Sequence, residues 1–460
     1  MQKTVILFLC LLTSGLLMAT HNRAGEITFE QIDQTTIRAT ITTFTKASSL
    51  PADRDSLEIC WGDGNCSFLV RANGTGEILP QDYKISRYVG QHTYNQMGTY
   101  QISMTDPARN SGILNVNSPD SDLVPFHLQS TVSLLAMSNI EKGNRSPQIL
   151  EPPIDVGFVR QTFMHTPNAI DLDGDSVAYR LVSPLMSNGE PVPNYLQVDE
   201  IGAGEDNTYS FDETTGLFVW NSPQLVGQYN IAIQINSYRN GELMDMVLRD
   251  MQILIQPDGN LPPVIEGLIA EDEEITVAVG ETVELAFTAT DNEDGAVDGS
   301  PDITITGEVL ELGASVNIYR TFGANNGEFS WTVGPDAVRT TPYQIAVKAV
   351  DRNGLSTFRV IKIKVRDAST NLIAAFDEEG YALYPNPASH RAFLEIPDNL
   401  INESLEIMVF DQLGRRVQRI EIDGANSTME LPLQQLENGT YIIYIQSNQQ
   451  IVSTILEVQR

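Results

Sequence analysis

The chain has 460 residues, and its 28 Lys and Arg side chains are outnumbered by 60 Asp and Glu, which gives a formal net charge of −32. This charge argues against nucleic acid and anionic membranes as partners, because both select clustered basic residues. A hydrophobic content of 42% is too high for a disordered acidic chain, and three Cys are too few for a disulfide-rich scaffold.

The N-terminal residues have the pattern of a secretory signal peptide. Lys3 precedes an apolar run over residues 5–12, and small residues lie close to Ala19. The run is too short for a membrane span of about 20 residues. We therefore predict a signal peptide over residues 1–19 and an exported mature chain without a transmembrane segment, with an uncleaved N-terminal anchor as the alternative.

Beyond this peptide, short runs of alternating apolar and polar residues dominate the chain. Clusters of Gly, Pro, Asn and Asp separate the runs at short intervals, a pattern typical of β-sandwiches. The clearest runs cover residues 36–42, 100–104, 229–235 and 360–365. The predicted fold class is therefore all-β.

Proline-bearing junctions divide the chain into segments. Pro147 and the pair Pro152-Pro153 mark the first junction, residues 256–263 the second, and a polar, acidic stretch over residues 366–380 the third. Pro stiffens a connection and cannot continue a central strand. The length also fits three or four domains of roughly 100–200 residues. We predict sandwich domains over residues 20–145, 146–257, 258–367 and 380–460.

Cys60 and Cys66 are the two cysteines that remain once the signal peptide is removed. Gly62 and Gly64 lie between them, and a turn there would bring two strand ends within bridging distance. An oxidising compartment favours a disulfide between them. Two free, partly buried thiols are the alternative.

The first segment resembles a known sandwich family. Its motifs are Trp61-Gly62-Asp63-Gly64, His92-Thr93-Tyr94 and Gly98-Thr99-Tyr100. In this order they resemble the polycystic-kidney-disease (PKD) type of β-sandwich domain. The resemblance implies a Gly/Asp hairpin turn at the first motif and a strand anchored by Tyr100.

A second resemblance covers about half of the chain. Its blocks, in order, are residues 20–27, 105–107, 192–195, 242–250 and 249–255. They resemble the gliding-motility-associated surface proteins of Bacteroidota. The resemblance implies a surface location more firmly than it implies a mechanism.

Asp171, Asp173 and Asp175 place three carboxylates on alternate residues around Gly174. Alternate residues of a turning loop can converge on a hard cation, and Ca²⁺ takes six to eight oxygens. The spacing is not that of an EF-hand, because Val182 stands where the closing Glu would be; a cadherin-type interdomain loop fits better. We predict structural Ca²⁺ here, with a solvated Asp/Gly turn as the alternative.

The third segment repeats the second. Asp291, Glu293 and Asp294 form its corresponding acidic loop, for which the same two interpretations stand. Two further motifs recur in the same order, Gly216–Trp220 with Gly327–Trp331 and residues 229–233 with residues 343–347. Three correspondences in one order indicate duplication. Trp220 and Trp331 are predicted to lie in the two cores.

Motifs of known catalytic sites are missing from the sequence, including HExxH, GxSxG, the P-loop and CxxC. His92, His127 and His165 are isolated and have uncharged neighbours, which favours structural roles. Nothing singles out a pair of carboxylates for glycoside hydrolysis among the 60 available. We therefore predict a protein that is not an enzyme.

The last segment carries three spaced motifs. They are Tyr384-Pro385-Asn386-Pro387, the hairpin turn from Asp411 to Gly414, and the turn Asn438-Gly439 that starts the strand of Tyr441. Together they resemble the type A C-terminal sorting domain of the type IX secretion system. This resemblance implies passage through the outer membrane, removal of the domain and anchoring at the cell surface. Residues 448–450 depart from the family, which has a basic turn there, and a fourth permanent sandwich is the alternative.

The predicted architecture is a row of immunoglobulin-like sandwiches: a PKD-like domain, a cadherin-like domain, a second cadherin- or immunoglobulin-like domain and the sorting domain. The predicted function is an exported cell-surface adhesion or interaction module, linked to gliding motility. Its predicted partners are the type IX secretion machinery and a surface polysaccharide or protein ligand. The alternatives are a secreted carbohydrate-active hydrolase and a structural subunit of the motility apparatus.

Overall fold

The structure is a computed structural model. It describes residues 22–49, 53–135, 143–257, 259–270, 273–291, 300–366, 374–375, 380–397, 400–401, 403–412, 414–424, 426–434, 436–447 and 451–460. The predicted signal peptide, Glu293, Asp294 and the departure at residues 448–450 lie outside these ranges. The chain divides into two compact units, one made of residues 1–275, 283–331 and 341–363 and the other of residues 276–282, 332–340 and 364–460.

Strands make up nearly all of the regular structure, which confirms the predicted all-β class. The first predicted domain contributes β1 (Asn22–Gln31), β2 (Thr36–Lys46), β3 (Ser56–Cys60), β4 (Cys66–Val70), β5 (Glu77–Leu79), β6 (Tyr83–Thr93), β7 (Thr99–Asp106) and β8 (Phe126–Ser133). The second contributes β9 (Gln148–Ile149), β10 (Val156–Phe158), β11 (Phe163–His165), β12 (Ala169–Ile170), β13 (Ser176–Val182), β14 (Thr208–Phe211), β15 (Phe218–Asn221), β16 (Gly227–Arg239) and β17 (Glu242–Gln256).

The third contributes β18 (Val264–Glu266), β19 (Glu274–Ala278), β20 (Thr282–Thr290), β21 (Asp302–Gly307), β22 (Ser315–Thr321), β23 (Ala324–Thr332), β24 (Tyr343–Val350) and β25 (Ser356–Arg366). The C-terminal segment contributes β26 (Ala374–Ala375), β27 (Ala382–Tyr384), β28 (Arg391–Glu395), β29 (Leu405–Phe410), β30 (Arg416–Ile422), β31 (Thr428–Pro432), β32 (Gly439–Gln446) and β33 (Ile451–Val458). Short 3₁₀ helices cover Ser121–Leu123, Ser187–Gly189, Val198–Glu200, Glu308–Leu310 and Pro335–Ala337.

One large sheet joins the first two predicted domains. Its order is β4-β3-β7-β8-β17-β1-β2-β6-β5, with β10 and β16 also paired to β17, and β13 paired to β16. The long strand β17 therefore lies between β1 and β8, with Ala24 opposite Met251 and Val247 opposite Ser130. The predicted division at residues 145 and 146 stays a prediction, but it does not separate two sheets.

Gly25 of β1 allows the β8 side chain of Leu128 to pack directly on the backbone of β1. A Cβ atom at this position would lie 2.8 Å from Leu128 Cδ1 and 2.9 Å from the carbonyl oxygen of Thr42. Real Cβ atoms almost never come so close to other heavy atoms. The glycine is therefore required for this packing at the position of β1 that lies opposite Asp250 of β17.

The second and third segments repeat one aromatic contact, as their duplicated motifs predict. Trp220 meets Tyr229 edge-on with ring centroids 4.8 Å apart, and Trp331 meets Tyr343 edge-on at 5.2 Å. Both tryptophans are buried, at 0% and 1% exposure. Edge-to-face pairs of this kind stabilise a sandwich core beyond the area that they bury. The third segment forms two sheets, β18-β20-β23-β22 and β19-β25-β24-β21.

The C-terminal segment folds around its own core. A five-stranded sheet, β26-β33-β32-β29-β30, and a three-stranded sheet, β27-β28-β31, enclose Leu394, Ile407, Ile443 and Leu456 among other buried residues. No helix in the described part of the chain has the length and hydropathy needed to span a bilayer.

Candidate functional site

Arginines hold two carboxylates of the predicted metal loop. The Arg145 guanidinium donates from Nε and Nη2 to Asp173 Oδ1 at 2.9 and 2.7 Å, and its backbone N–H donates to Oδ2 at 2.6 Å. Arg239 forms a fork to Asp175, with Nε to Oδ1 at 2.6 Å and Nη2 to Oδ2 at 2.8 Å. Forked pairs of this kind satisfy a carboxylate in charge and in geometry.

Asp171 is the buried member of the loop. Its Oδ1 accepts backbone N–H bonds from Asp173 and Asp175, while its Oδ2 has no hydrogen-bond partner among the described residues. The pKa of Asp171 is raised to about 7, mainly by burial and also by the neighbouring carboxylates of Asp175 and Asp173. Burial also raises the pKa of Asp245 to about 7, with a contribution from Asp171.

The structure does not gather the predicted ligands into one group. Within the described ranges, no set of three or more His, Cys, Asp or Glu side chains is arranged to hold a metal ion. Asp291 is buried, and its predicted companions Glu293 and Asp294 lie outside the described residues. Calcium binding in both loops stays a prediction. In the structure, the first loop binds two arginine side chains through Asp173 and Asp175.

The linker that carries Arg145 runs beside the end of β1. Gln31 N–H donates to the Asn144 carbonyl at 2.8 Å, and Ser146 N–H donates to the Phe29 carbonyl at 3.0 Å. Together with Leu172, the linker closes a cavity of about 180 Å³ over the outer face of β1 and β2. This cavity, which we call the linker pocket, is lined by Thr28, Phe29, Glu30, Arg38, Thr40, Arg145, Ser146, Pro147, Gln148 and Leu172.

Buried ion pairs connect the first and second segments. Arg109 forms a fork to Asp250, and Arg249 forms a second fork to Glu26, with both hydrogen bonds at 3.2 Å. The two arginine side chains are each 1% exposed. Charges buried this deeply are stable only when they are fully paired.

A second buried cluster lies where the second and third segments meet. Asp155 accepts from His165 Nδ1 at 2.6 Å and from Ser356 Oγ at 3.2 Å, and it is ion-paired with Lys348. Burial by itself would raise the pKa of Asp155, but Lys348 and His165 outweigh burial and lower it to about 2. Beside this cluster, a cavity of about 250 Å³ opens between β14–β15 and β25.

The first segment contains a disulfide and an aromatic stack. Cys60 and Cys66 lie directly opposite each other on β3 and β4 and form a disulfide. Trp61 is buried and stacks on His92 with ring centroids 4.9 Å apart, and His92 Nε2 lies 2.7 Å from Asp63 Oδ2. These contacts give His92 a structural role.

The motifs of the last segment converge on its final strand. Asn386 donates from Nδ2 to the Ile455 carbonyl at 2.7 Å and accepts the Glu457 N–H at 2.9 Å. Asn438 Oδ1 accepts the Arg460 N–H at 3.0 Å, and the Arg460 side chain donates to the Leu433 carbonyl at 2.6 Å.

The other motif residues build turns and exposed surface. Asp411 closes the β29–β30 hairpin, because its Oδ1 accepts the Arg415 N–H at 2.9 Å and its carbonyl accepts the Gly414 N–H at 2.9 Å. Tyr441 donates to the Glu437 carbonyl, and Tyr384 is 45% exposed.

Residues 382–458 match the secretion system C-terminal sorting domain. The match confirms the predicted type IX sorting domain, and such a domain implies a protein that is secreted or attached to the cell surface. The two hydrogen bonds between Asn386 and the last strand therefore lie within the sorting domain. No curated protein matches the chain significantly.

Solved structures share only a broad likeness with the chain. Domains A168–A170 of titin are 9% identical and cover 68% of this chain and 99% of their own, with a TM-score of 0.22. The cadherin domains 1–5 of protocadherin gamma B2 are 10% identical and cover 91% and 72%, with a TM-score of 0.19. SGBP-B from the mixed-linkage glucan utilization locus of Bacteroides ovatus is 14% identical and covers 68% and 70%, with a TM-score of 0.15. Scores this low carry no argument about function.

Sequence reasoning found the acidic loop but missed the residues that hold it. Arg145 and Arg239 lie 28 and 64 residues from their partners. The one signal that could have found Arg145 is its position: a basic residue two positions before Pro147 in a linker of a very acidic chain. Nothing in the sequence marks Arg109 or Arg249, which stand within ordinary loop and strand patterns.

Proposed function

We propose that the protein is a cell-surface adhesion or interaction module without enzymatic activity, delivered by type IX secretion. The observation that carries the proposal is the sorting domain at residues 382–458, joined to a chain of β-sandwiches. The absence of catalytic motifs from the sequence supports the non-enzymatic part.

The shared sheet supports a role as a rigid carrier of a binding surface. Because β17 lies between β1 and β8, and because Arg109 and Arg249 pair across the segments, the first two segments cannot move independently without exposing buried charges. A binding surface on such a rigid body loses little conformational entropy when it meets a partner.

Export is tested in a bacterium that has type IX secretion. A chain that lacks residues 380–460 is expected to stay in the periplasm, whereas the full chain reaches the surface or the medium. Detection of the truncated chain at the cell surface in equal amount would contradict the delivery route.

Adhesion is tested with the purified full chain on whole cells and on surface extracts. Saturable binding that competes with unlabelled protein is expected. Turnover of oligosaccharide substrates by the same preparation would favour the hydrolase alternative instead.

The PKD-like character of the first domain and the link to gliding motility are finer parts of the proposal. The sequence blocks over residues 20–255 support them. Deletion of the gene is expected to reduce cell attachment, and a loss of colony spreading would assign the protein to gliding. Co-purification with motility components would favour a structural subunit over a free adhesin.

A further inference from the structure

We propose that the linker pocket binds one ring of a neutral sugar on a surface glycan. This inference rests on the proposed function and names a site and a ligand class for it. The pocket floor consists of two cross-strand pairs of the large sheet, Thr28 opposite Thr40 and Glu30 opposite Arg38. The strands hold these four side chains at fixed spacing, which a sugar site requires.

The floor and the rim of the pocket offer hydrogen-bonding groups that the protein does not use. Among the described residues, the side chains of Thr28, Thr40 and Gln148 make no hydrogen bond, although all three line the pocket. Hydroxyl and amide groups both donate and accept, as sugar hydroxyls do. A ring placed on this floor can therefore exchange its bonds to water for bonds to the protein.

Glu30 and Arg38 add a donor and an acceptor side by side. Arg38 Nη2 lies 2.6 Å from Glu30 Oε2, and the two side chains are 44% and 45% exposed, for Arg38 and Glu30 respectively. Because both side chains are about half exposed, the remaining guanidinium N–H groups and the other carboxylate oxygen can bind neighbouring hydroxyls of one ring. Hydrogen bonds to charged groups are stronger than those between neutral groups.

The charge balance of the pocket selects a neutral ligand. Each arginine at the pocket is already matched by a carboxylate, Arg38 by Glu30 and Arg145 by Asp173. The protein as a whole carries −32, which repels acidic polysaccharides. An anionic ligand would therefore find no uncompensated positive charge here.

The roof supplies apolar surface for the C–H face of a ring. Leu172 lines the pocket and is 42% exposed, whereas Pro147, which also lines the pocket, is buried in the linker. The volume of about 180 Å³ is below the roughly 300 Å³ of sites for drug-sized ligands. One ring fits inside, and the rest of the glycan extends into solvent. Affinity for one ring is expected to be weak and to rise with multivalent display.

The test is a glycan array followed by calorimetric titration of the full chain with neutral and acidic oligosaccharides. Thr40→Trp fills the pocket from a half-buried position on the sheet surface, and Glu30→Gln removes the charged acceptor. Gln148→Ala changes only an exposed side chain at the rim. Glu77→Gln is the matched control, because Glu77 is an exposed carboxylate of the same sheet, 3.6 Å from Arg87.

We expect binding of a neutral glycan, with Kd raised at least roughly tenfold by Thr40→Trp and Glu30→Gln, several-fold by Gln148→Ala, and unchanged by Glu77→Gln. If Thr40→Trp also lowers Tm, the Kd values of Glu30→Gln and Gln148→Ala test the pocket instead. No binding of neutral glycans, a preference for acidic ones, or equal affinity in all pocket variants would overturn the inference. Adhesion of the pocket variants to cells at the wild-type level would overturn it as well, while leaving the proposed function in place.

Discussion

Arg109 and Asp250 form a buried fork between two segments of the chain. Arg109 Nη1 lies 3.1 Å from Asp250 Oδ1, and Nη2 lies 2.6 Å from Oδ2. Arg109 follows β7, and Asp250 stands in the middle of β17, 141 residues later. Asn230 also donates to Asp250 Oδ1, so that both carboxylate oxygens accept hydrogen bonds and Oδ1 accepts two.

Removing one partner of this fork should destabilise the protein strongly. Asp250→Ala leaves a buried, unpaired guanidinium, and the expected loss of unfolding free energy is about 3–5 kcal/mol. Urea denaturation measures it. The exposed pair of Arg320 and Asp302, also at 2.6 Å, is the matched control, and Asp302→Ala should cost less than about 1 kcal/mol. Equal effects of the two variants would show that burial does not govern the Arg109–Asp250 pair.

Stability should fall as pH rises toward neutrality because of Asp171. Its folded-state pKa, about 7, lies above the value of 3.8 expected for an unfolded chain. The folded state therefore holds the proton more tightly; the contribution to stability is complete below about pH 4 and is lost as pH rises through 7. Asp245 adds a contribution of the same sign.

Asp171→Asn should remove this loss, because an amide can keep the two backbone hydrogen bonds to Oδ1 without ionising. The free energy of unfolding of the variant minus that of the wild type should be larger at pH 8 than at pH 4, by on the order of 2–4 kcal/mol. Thermal unfolding across pH 4–8 measures the difference. Asp55→Asn, at a fully exposed carboxylate, is the control. A constant difference between variant and wild type across this range would contradict the burial of a protonated Asp171.

The arginine forks make a prediction about calcium. Since Arg145 and Arg239 occupy the carboxylates of Asp173 and Asp175, their removal should free oxygen ligands for a cation. The double variant Arg145→Gln, Arg239→Gln is expected to gain more Tm from Ca²⁺, and lose more with a chelator, than the wild type. Scanning fluorimetry measures both effects. A larger Ca²⁺ response in the wild type would show that the forks do not compete with the metal.

The disulfide should stabilise the β3–β4 hairpin. Cys60 and Cys66 are six residues apart, and closing so short a loop is worth about 2 kcal/mol in the chain-entropy description. The variant Cys60→Ser, Cys66→Ser should lose about this much unfolding free energy under oxidising conditions. The wild type in the presence of a reductant should have the same unfolding free energy as this double variant. Two titratable thiols in the native, oxidised wild type would refute the pairing.

The sorting domain should depend on Asn386. Asn386→Ala removes both bonds to the last strand, so that we expect a lower Tm of this domain and less exported protein. Asn426→Ala, at an exposed position of the same unit, is the control. Immunoblots of the medium and of cell fractions measure export. Normal export of Asn386→Ala together with a lowered Tm would show that the machinery does not read this contact.

The sequence by itself determined the local structure of the protein and its sorting domain for export. Alternation marked the strands, because the side chains of a strand point to opposite faces and only one face is buried. The runs at 36–42 and 360–365 lie within β2 and β25 and show this alternation of burial, whereas the run at 229–235 lies within β16 and is buried on both faces from 229 to 233. Trp220 and Trp331 lie in the cores of the second and third segments. The sorting domain was predictable because its turn motifs are short and contiguous.

Only the tertiary structure decided which strands pair and which charges meet. Both faces of β17 are buried from Asp245 to Ile253, and the place of this strand between β1 and β8 depends on packing across more than 100 residues of chain. The sequence predicted that Asp173 and Asp175 are metal ligands because they place carboxylates on alternate residues around Gly174. Their arginines arrive from a distant linker and hairpin, and a carboxylate binds whichever cation the fold brings to it.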